Sequence, residues 1–173
     1  MSRVAKLTSS KAIGGSVESE VIDTDPKLEY VPDSESERYD AITVDCLDPS
    51  CERPHLGIPL VESGTEVEIK GACVVRSNGS RQSPGHWYIK RESHEWLLDV
   101  AGVYLLAVYA PREDTPILRS VIIPASLLDE ILAEYWYVSR ACDRPDRTVA
   151  QLSWTRVIDR ERVPGAREVD RRV

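Results

Sequence analysis

Residues 64–72 read Gly64-Thr65-Glu66-Val67-Glu68-Ile69-Lys70-Gly71-Ala72. Val67, Ile69, Cys73 and Val75 alternate with Glu66, Glu68, Lys70 and Ala72, the two-residue period of a half-buried strand. Glu68 and Lys70 therefore share a face, roughly 6–7 Å apart at a rise of ~3.3 Å per residue. A carboxylate held there binds a hard divalent cation through oxygen, and an amine beside it steers or activates a water. A solvent-facing strand with a Glu/Lys pair shows the same pattern, so the rest of the chain has to decide between the two.

The chain has 173 residues, 42% of them hydrophobic and 29% charged, with a formal net charge of −7. That size and composition suit one globular domain with a sizeable core. We read it as residues 1–158, with an insert at about 47–63 and a charged, disordered tail over 159–173. No apolar run approaches the ~20 residues of a bilayer span, and the N-terminus lacks a secretory h-region. The expectation is a cytoplasmic protein without a membrane partner. Four cysteines, Cys46, Cys51, Cys73 and Cys142, are too few for a disulfide framework. The acidic balance argues against a generic nucleic-acid binder, although phosphate contacts are local and the sum does not decide them.

Outward from the central strand, Ile13, Val17 and Val21 form a helical stripe, with Ser16 as its expected cap. Lys27–Val31 and Tyr39–Cys46 read as strands, the second beginning at Asp40. The proline-containing segment 47–63 reads as an insert or long loop. Beyond the central strand, SNGSRQSPG and HWYIK at 86–90 predict a hairpin partner for it. RESHEWLLDV at 91–100 predicts a helix, and VYLLAVYA at 103–110 a strand buried on both faces. Ile117–Ile123 is another strand, followed by a helix capped by Ser126 with Asp129 three residues on. A polar link at 139–148 and a last strand, VAQLSWTRVI, complete an α/β order: a mixed sheet with helices on its faces.

Mg²⁺ is octahedral, keeps several waters and takes few protein ligands, so a metal-dependent nuclease needs acidic oxygens from separate segments to converge. Asp40 and Glu68 can do this if their strands pair, with the Ile69 carbonyl as a third oxygen. Asp40 followed by Glu68-Ile69-Lys70 resembles the D…(D/E)xK signature of the PD-(D/E)XK nuclease superfamily, the restriction-endonuclease-like fold. Glu18 in GGSVESEVI stands where these families often carry a further helical Glu. GHWYIKRESHEWLLDVAGVYLLAVYAP and PILRSVIIPASLLDEI are similar in layout to archaeal Holliday-junction resolvases, and the resemblance spans about residues 11–135. Three departures stand out. Asp40 follows Tyr39 instead of Pro, while Pro32-Asp33 sits in a polar turn. The long interval before Glu68 leaves Asp45 or Asp48 as alternatives to Asp40. The acidic net charge differs from the basic resolvases.

The resemblance implies a Mg²⁺- or Mn²⁺-dependent DNA endonuclease, acting in recombination or repair, with Glu18, Asp40, Glu68 and Lys70 catalytic. Asp40, Glu68 and Ile69 would hold the metal. Lys70 would orient or deprotonate the attacking water, helped if burial lowers its pKa. The partner would be branched or duplex DNA, cut by a homodimer. From Ile69 to Arg91 the chain carries Lys70, Arg76, Arg81, Lys90 and Arg91 with no acid. Arg76, Arg81, Lys90 and Arg91 are the candidate phosphate contacts, and a charge-protected hairpin edge would look the same. A second candidate site is zinc on Cys46, Cys51 and His55, with Cys73 as a possible fourth ligand. It accompanies an alternative function: a non-catalytic nucleic-acid-binding or interaction module of the same fold. His86 and His94 read as surface residues, and the four tryptophans as core or interface anchors.

Overall fold

The structure, a computed structural model, describes residues 10–112, 116–141 and 144–166, and counts of elements refer to these. Its centre is the pair β3 (Glu66–Cys73) and β7 (Val103–Tyr109), which run parallel from Val67↔Val103 to Cys73↔Tyr109. A parallel pair needs a crossover and cover on both faces. The unbroken apolar run of β7 meets that requirement, with Val103 to Val108 all buried. Around the pair lie β1 (Leu28–Tyr30), β2 (Ala41–Thr43) and β8 (Ile117–Pro124), in the order β1-β2-β3-β7-β8, every other pairing antiparallel.

One face of the sheet packs Val67, Ile69, Leu105 and Ile122 against Val17 and Val21 of α1 (Ser10–Thr24). The helix begins well before Ser16 and runs through Gly14-Gly15, so Ser16 is not its cap. Packing of its apolar stripe on the sheet outweighs the roughly 1 kcal/mol per glycine that propensity costs. Gly71 is what lets α1 come close, because a Cβ there would lie 3.1 Å from a Val17 methyl carbon.

The opposite face is covered by α2 (Arg91–Asp99), α3 (Ala125–Leu132) and a second sheet. That sheet has the order β6-β10-β9, from β6 (His86–Lys90), β10 (Arg144–Ser153) and β9 (Trp136–Ala141). The overall arrangement is the mixed α/β sheet with helices on both faces that the sequence predicts, and it is consistent with the restriction-endonuclease-like fold.

Several local expectations are corrected. The strand at 86–90 does not pair with β3. Gly85 donates its N–H to the Cys73 carbonyl at 3.0 Å, and a Cβ on it would fall 2.2 Å from that oxygen, so the chain crosses over β3 and stacks above it. The hairpin is instead β4 (Arg76–Asn78) with β5 (Arg81–Ser83). The link expected at 139–148 is largely strand, since β9 and β10 pair across it. Pro124, not Ser126, stands at the N-cap of α3. The chain stays ordered past Asp159, because Val163 and Ala166 are buried in the core; the tail from 167 lies outside the described residues. The insert is packed as well: Leu47 and Val61 bridge to each other and are buried. Among the described residues, no helix is long and apolar enough to cross a membrane.

Candidate functional site

β2 pairs with β3 only as far as Ala41↔Val67, so beyond that point β3 has an open edge. Asp40 stands where the pairing stops. Its backbone N–H donates to the Val67 carbonyl at 3.0 Å, and its Oδ2 accepts the Ile69 N–H at 2.7 Å. Ile69's carbonyl, on the same open side, accepts a hydrogen bond from Lys70 Nζ at 3.1 Å. Backbone groups that lost a strand partner are thus satisfied by the two charged side chains that flank the gap.

Glu68 and Lys70 share a face, as the alternation predicts, but that face is not open to solvent. Glu68 is buried, with its strand neighbours Val67 and Ile69. The layer formed by β6 and α2 covers this side of the sheet, and a buried carboxylate persists there because it is paired. Lys70 Nζ lies 2.6 Å from Glu68 Oε1 and 3.9 Å from Asp40 Oδ2. Three oxygens from two chain segments therefore converge on one ammonium. Glu18 follows Val17, the residue that packs on Gly71, and its carboxyl lies within reach of the charges of Asp40 and Lys70.

The electrostatics follow from this crowding. Burial pushes the Glu68 carboxyl up to about 7, with Lys70 opposing and Asp40 reinforcing the rise. Burial likewise raises Glu18 to about 7, helped by the Asp40 charge and opposed by Lys70. For Lys70, burial favours the neutral amine, yet Glu68 and Asp40 together more than offset it and hold the ammonium above the usual lysine range. The expected lowering of the Lys70 pKa is therefore not what this geometry gives, and Lys70 is a charged donor.

Hard oxygen donors suit Mg²⁺ or Mn²⁺, which take few protein ligands. The residues present fit such an ion: two carboxylates and the Ile69 carbonyl already surround a positive charge, that of Lys70. Among the described residues, no group of three or more His, Cys, Asp or Glu is assembled to hold a metal, so Glu18 does not complete a three-carboxylate set. The same finding corrects the zinc expectation. Cys46 and Cys51 are exposed, while the His55 ring nitrogens are shut away from solvent and its backbone bridges to Ile122. Leu47 and Val61 pin the insert by their apolar side chains, which leaves its thiols facing outward. Cys73 Sγ is 2.8 Å from the Val75 carbonyl oxygen.

Asp45 and Asp48 sit elsewhere: Asp45 accepts the Cys46 N–H at 2.7 Å, and Asp48 pairs with Lys27 at 3.3 Å. The four candidate phosphate contacts do not gather at one point. Arg76 and Arg81 are exposed on the β4–β5 hairpin. Lys90 is exposed at the end of β6, and its charge reaches Glu18 and Glu68. Arg91 pairs with Glu95 at 2.9 Å and lies 5.1 Å over the Trp136 ring.

One group escaped the sequence reading. His94, expected at the surface, is 1% exposed. Its Nδ1 is 3.1 Å from the Tyr104 hydroxyl and its Nε2 is 3.1 Å from Asp129 Oδ1. Tyr104 is the cross-strand partner of Glu68. The tyrosine near the start of an apolar strand buried on both faces was the available signal, since a buried hydroxyl demands a partner. His86 is exposed as expected. Trp87 and Trp154 are core residues whose indoles donate to the Ala107 and Val74 carbonyls, at 2.9 Å and 3.1 Å.

Neither a search of curated proteins nor one of solved structures finds a match. A family model described as a PD-(D/E)XK nuclease superfamily domain matches residues 4–159, and the chain that sets Asp40, Glu68 and Lys70 around one point belongs to that superfamily.

Proposed function

We propose that this protein is a divalent-cation-dependent nuclease that hydrolyses phosphodiester bonds in DNA. The observation that carries the reading is the convergence of Glu68 Oε1, the Ile69 carbonyl and Asp40 Oδ2 on Lys70 Nζ, at 2.6, 3.1 and 3.9 Å. Asp40, Glu68 and the Ile69 carbonyl would hold Mg²⁺ or Mn²⁺. When bound, the ion supplies Lewis-acid polarisation of the phosphate and neutralises developing charge.

The remaining chemistry belongs to the chain itself. Lys70, held charged, donates to the attacking water or to a phosphate oxygen and fixes its orientation. Glu18, with its carboxyl near 7, exchanges a proton close to neutral pH, where a general base is most effective. Lys90 contributes positive charge that both Glu18 and Glu68 feel. The layer over Glu68 keeps bulk water from this face and strengthens each of these interactions.

Cleavage of branched DNA, Holliday junctions included, by a homodimer in recombination or repair is the finer form of this reading; it rests on sequence layout. The test is incubation of the protein with labelled four-way junction, flap, linear duplex and single-stranded DNA, in Mg²⁺, Mn²⁺ or chelator, with Glu68→Ala and Lys70→Met alongside. Cleavage that needs the ion and both side chains is expected. A protein that binds these DNAs but cuts none of them, or an active Lys70→Met variant, overturns the reading in favour of a binding module.

A further inference from the structure

The β6–β10–β9 sheet turns one face to the core through Trp87, Ile89 and Leu152, and its register defines the other. Tyr88 pairs with Gln151, while Lys90 pairs with Val149, itself opposite Tyr137. Tyr88 and Tyr137 are exposed by 42% each, well above what a buried phenol shows. Two strand spacings and one two-residue step separate them, roughly 12 Å. Lys90 and Arg147 lie on the same face, both exposed. In a chain of net charge −7, the register places no aspartate or glutamate on this face along β6, along β10 from Arg147 to Ser153, or along β9 from Tyr137 to Ser139.

Two exposed phenol rings on either side of the buried Val149, with two exposed cations and no acid along that stretch of the face, complement unpaired bases on a phosphate backbone. Duplex DNA offers no such fit, because its base faces are already stacked on one another. One of its cations is coupled electrostatically to the candidate active site. Lys90 ends β6, and its charge is felt by both Glu18 and Glu68.

We propose that the outer face of the β6–β10–β9 sheet is a binding track for single-stranded nucleic acid, with Tyr88 and Tyr137 as stacking platforms and Lys90 and Arg147 as phosphate contacts. That the track delivers a strand to Glu68 and Lys70 rests on the nuclease reading above; the binding itself does not.

The experiment is fluorescence anisotropy of a labelled oligothymidylate and of a blunt duplex, with the full chain in chelator so that nothing is cut. The wild type should bind the single strand at least tenfold more tightly than the duplex. Alanine at either tyrosine should weaken single-strand binding about tenfold, and at both about a hundredfold. Phenylalanine at both should retain it, with the melting temperature unchanged throughout. Equal affinity for the two DNAs, or alanine variants that bind like wild type, would overturn the proposal. So would self-association that the double alanine variant abolishes, which would make the face an interface between copies. Cleavage in Mg²⁺ is read separately. Cutting without dependence on the tyrosines removes the delivery role and leaves the nuclease; tyrosine-dependent binding without cutting leaves the track and removes the nuclease.

Discussion

The Asp40 carboxylate accepts the Ile69 N–H at 2.7 Å and stands 3.9 Å from the Lys70 ammonium, so one side chain closes the open edge of β3 and faces the candidate ion site. These two duties separate by substitution. Asp40→Asn keeps an oxygen for the Ile69 N–H and should fold with little loss, yet lose cleavage. Asp40→Ala leaves a buried donor unpaired and should cost about 1–3 kcal/mol as well, measured by urea unfolding. An Asp40→Ala protein as stable as Asp40→Asn would show that the hydrogen bond does not matter to the fold.

Lys70→Met should reduce cleavage by about 10²–10⁴-fold, the usual worth of a positioned proton-handling or orienting group, with DNA affinity in chelator nearly unchanged. The same substitution removes the charge that opposes the rise in the Glu68 pKa. Backbone-independent titration of Glu68 by carboxyl NMR should therefore move above the wild-type value of about 7.

Glu18 and Glu68 both titrate near 7 in the folded chain, against 4.5 for an ordinary glutamate. A raised carboxyl means that the folded state binds the proton more tightly than the unfolded one. Its contribution is complete below about pH 4.5 and is lost as pH rises toward 7. Without divalent metal, the melting temperature should fall between pH 5 and 8, and Glu68→Gln should flatten that slope. Added Mg²⁺ should restore stability at the high end, since the ion replaces the proton as the countercharge. A wild-type melting temperature that climbs across this interval would contradict the burial of these carboxyls.

Gly71 and Val17 form a steric pair, with 3.1 Å from a virtual Cβ to the nearest Val17 methyl carbon. Gly71→Ala should push α1 away, carrying Glu18 with it, and lower cleavage at a stability cost of about 1–3 kcal/mol. Val17→Ala in the same chain should recover part of both by removing the methyls in contact. Kinetics and denaturant midpoints of the four proteins of this cycle would show coupling, and additive losses would separate the helix position from the chemistry.

The acidic and basic residues of the site were legible because their signal is local. Glu68 and Lys70 announce themselves by alternation on one strand, and Val17 and Val21 by helical spacing. The amphipathic patterns of α2 and α3 were equally readable. What misled was the partner of each element. HWYIK reads as a hairpin arm to β3, yet Gly85 lets the backbone cross Cys73 so closely that β6 stacks over the sheet. His94 looks like a helix-surface residue until Tyr104 and Asp129 are found on either side of it. Cys46, Cys51 and His55 have plausible ligand chemistry in sequence, yet both thiols are exposed while the His55 ring nitrogens are buried.

By itself the sequence determined the residue types, the strand and helix periods, and the acid–acid–lysine order that marks the superfamily, because these are properties of near neighbours along the chain. Only the tertiary structure decided that Asp40, and not Asp45 or Asp48, faces Lys70, and that the polar side of β3 is roofed by a second sheet. It also decided that Lys70 stays charged. Those outcomes depend on where β2 stops pairing, and on the balance between burial and charge among groups distant in sequence, which no local pattern records.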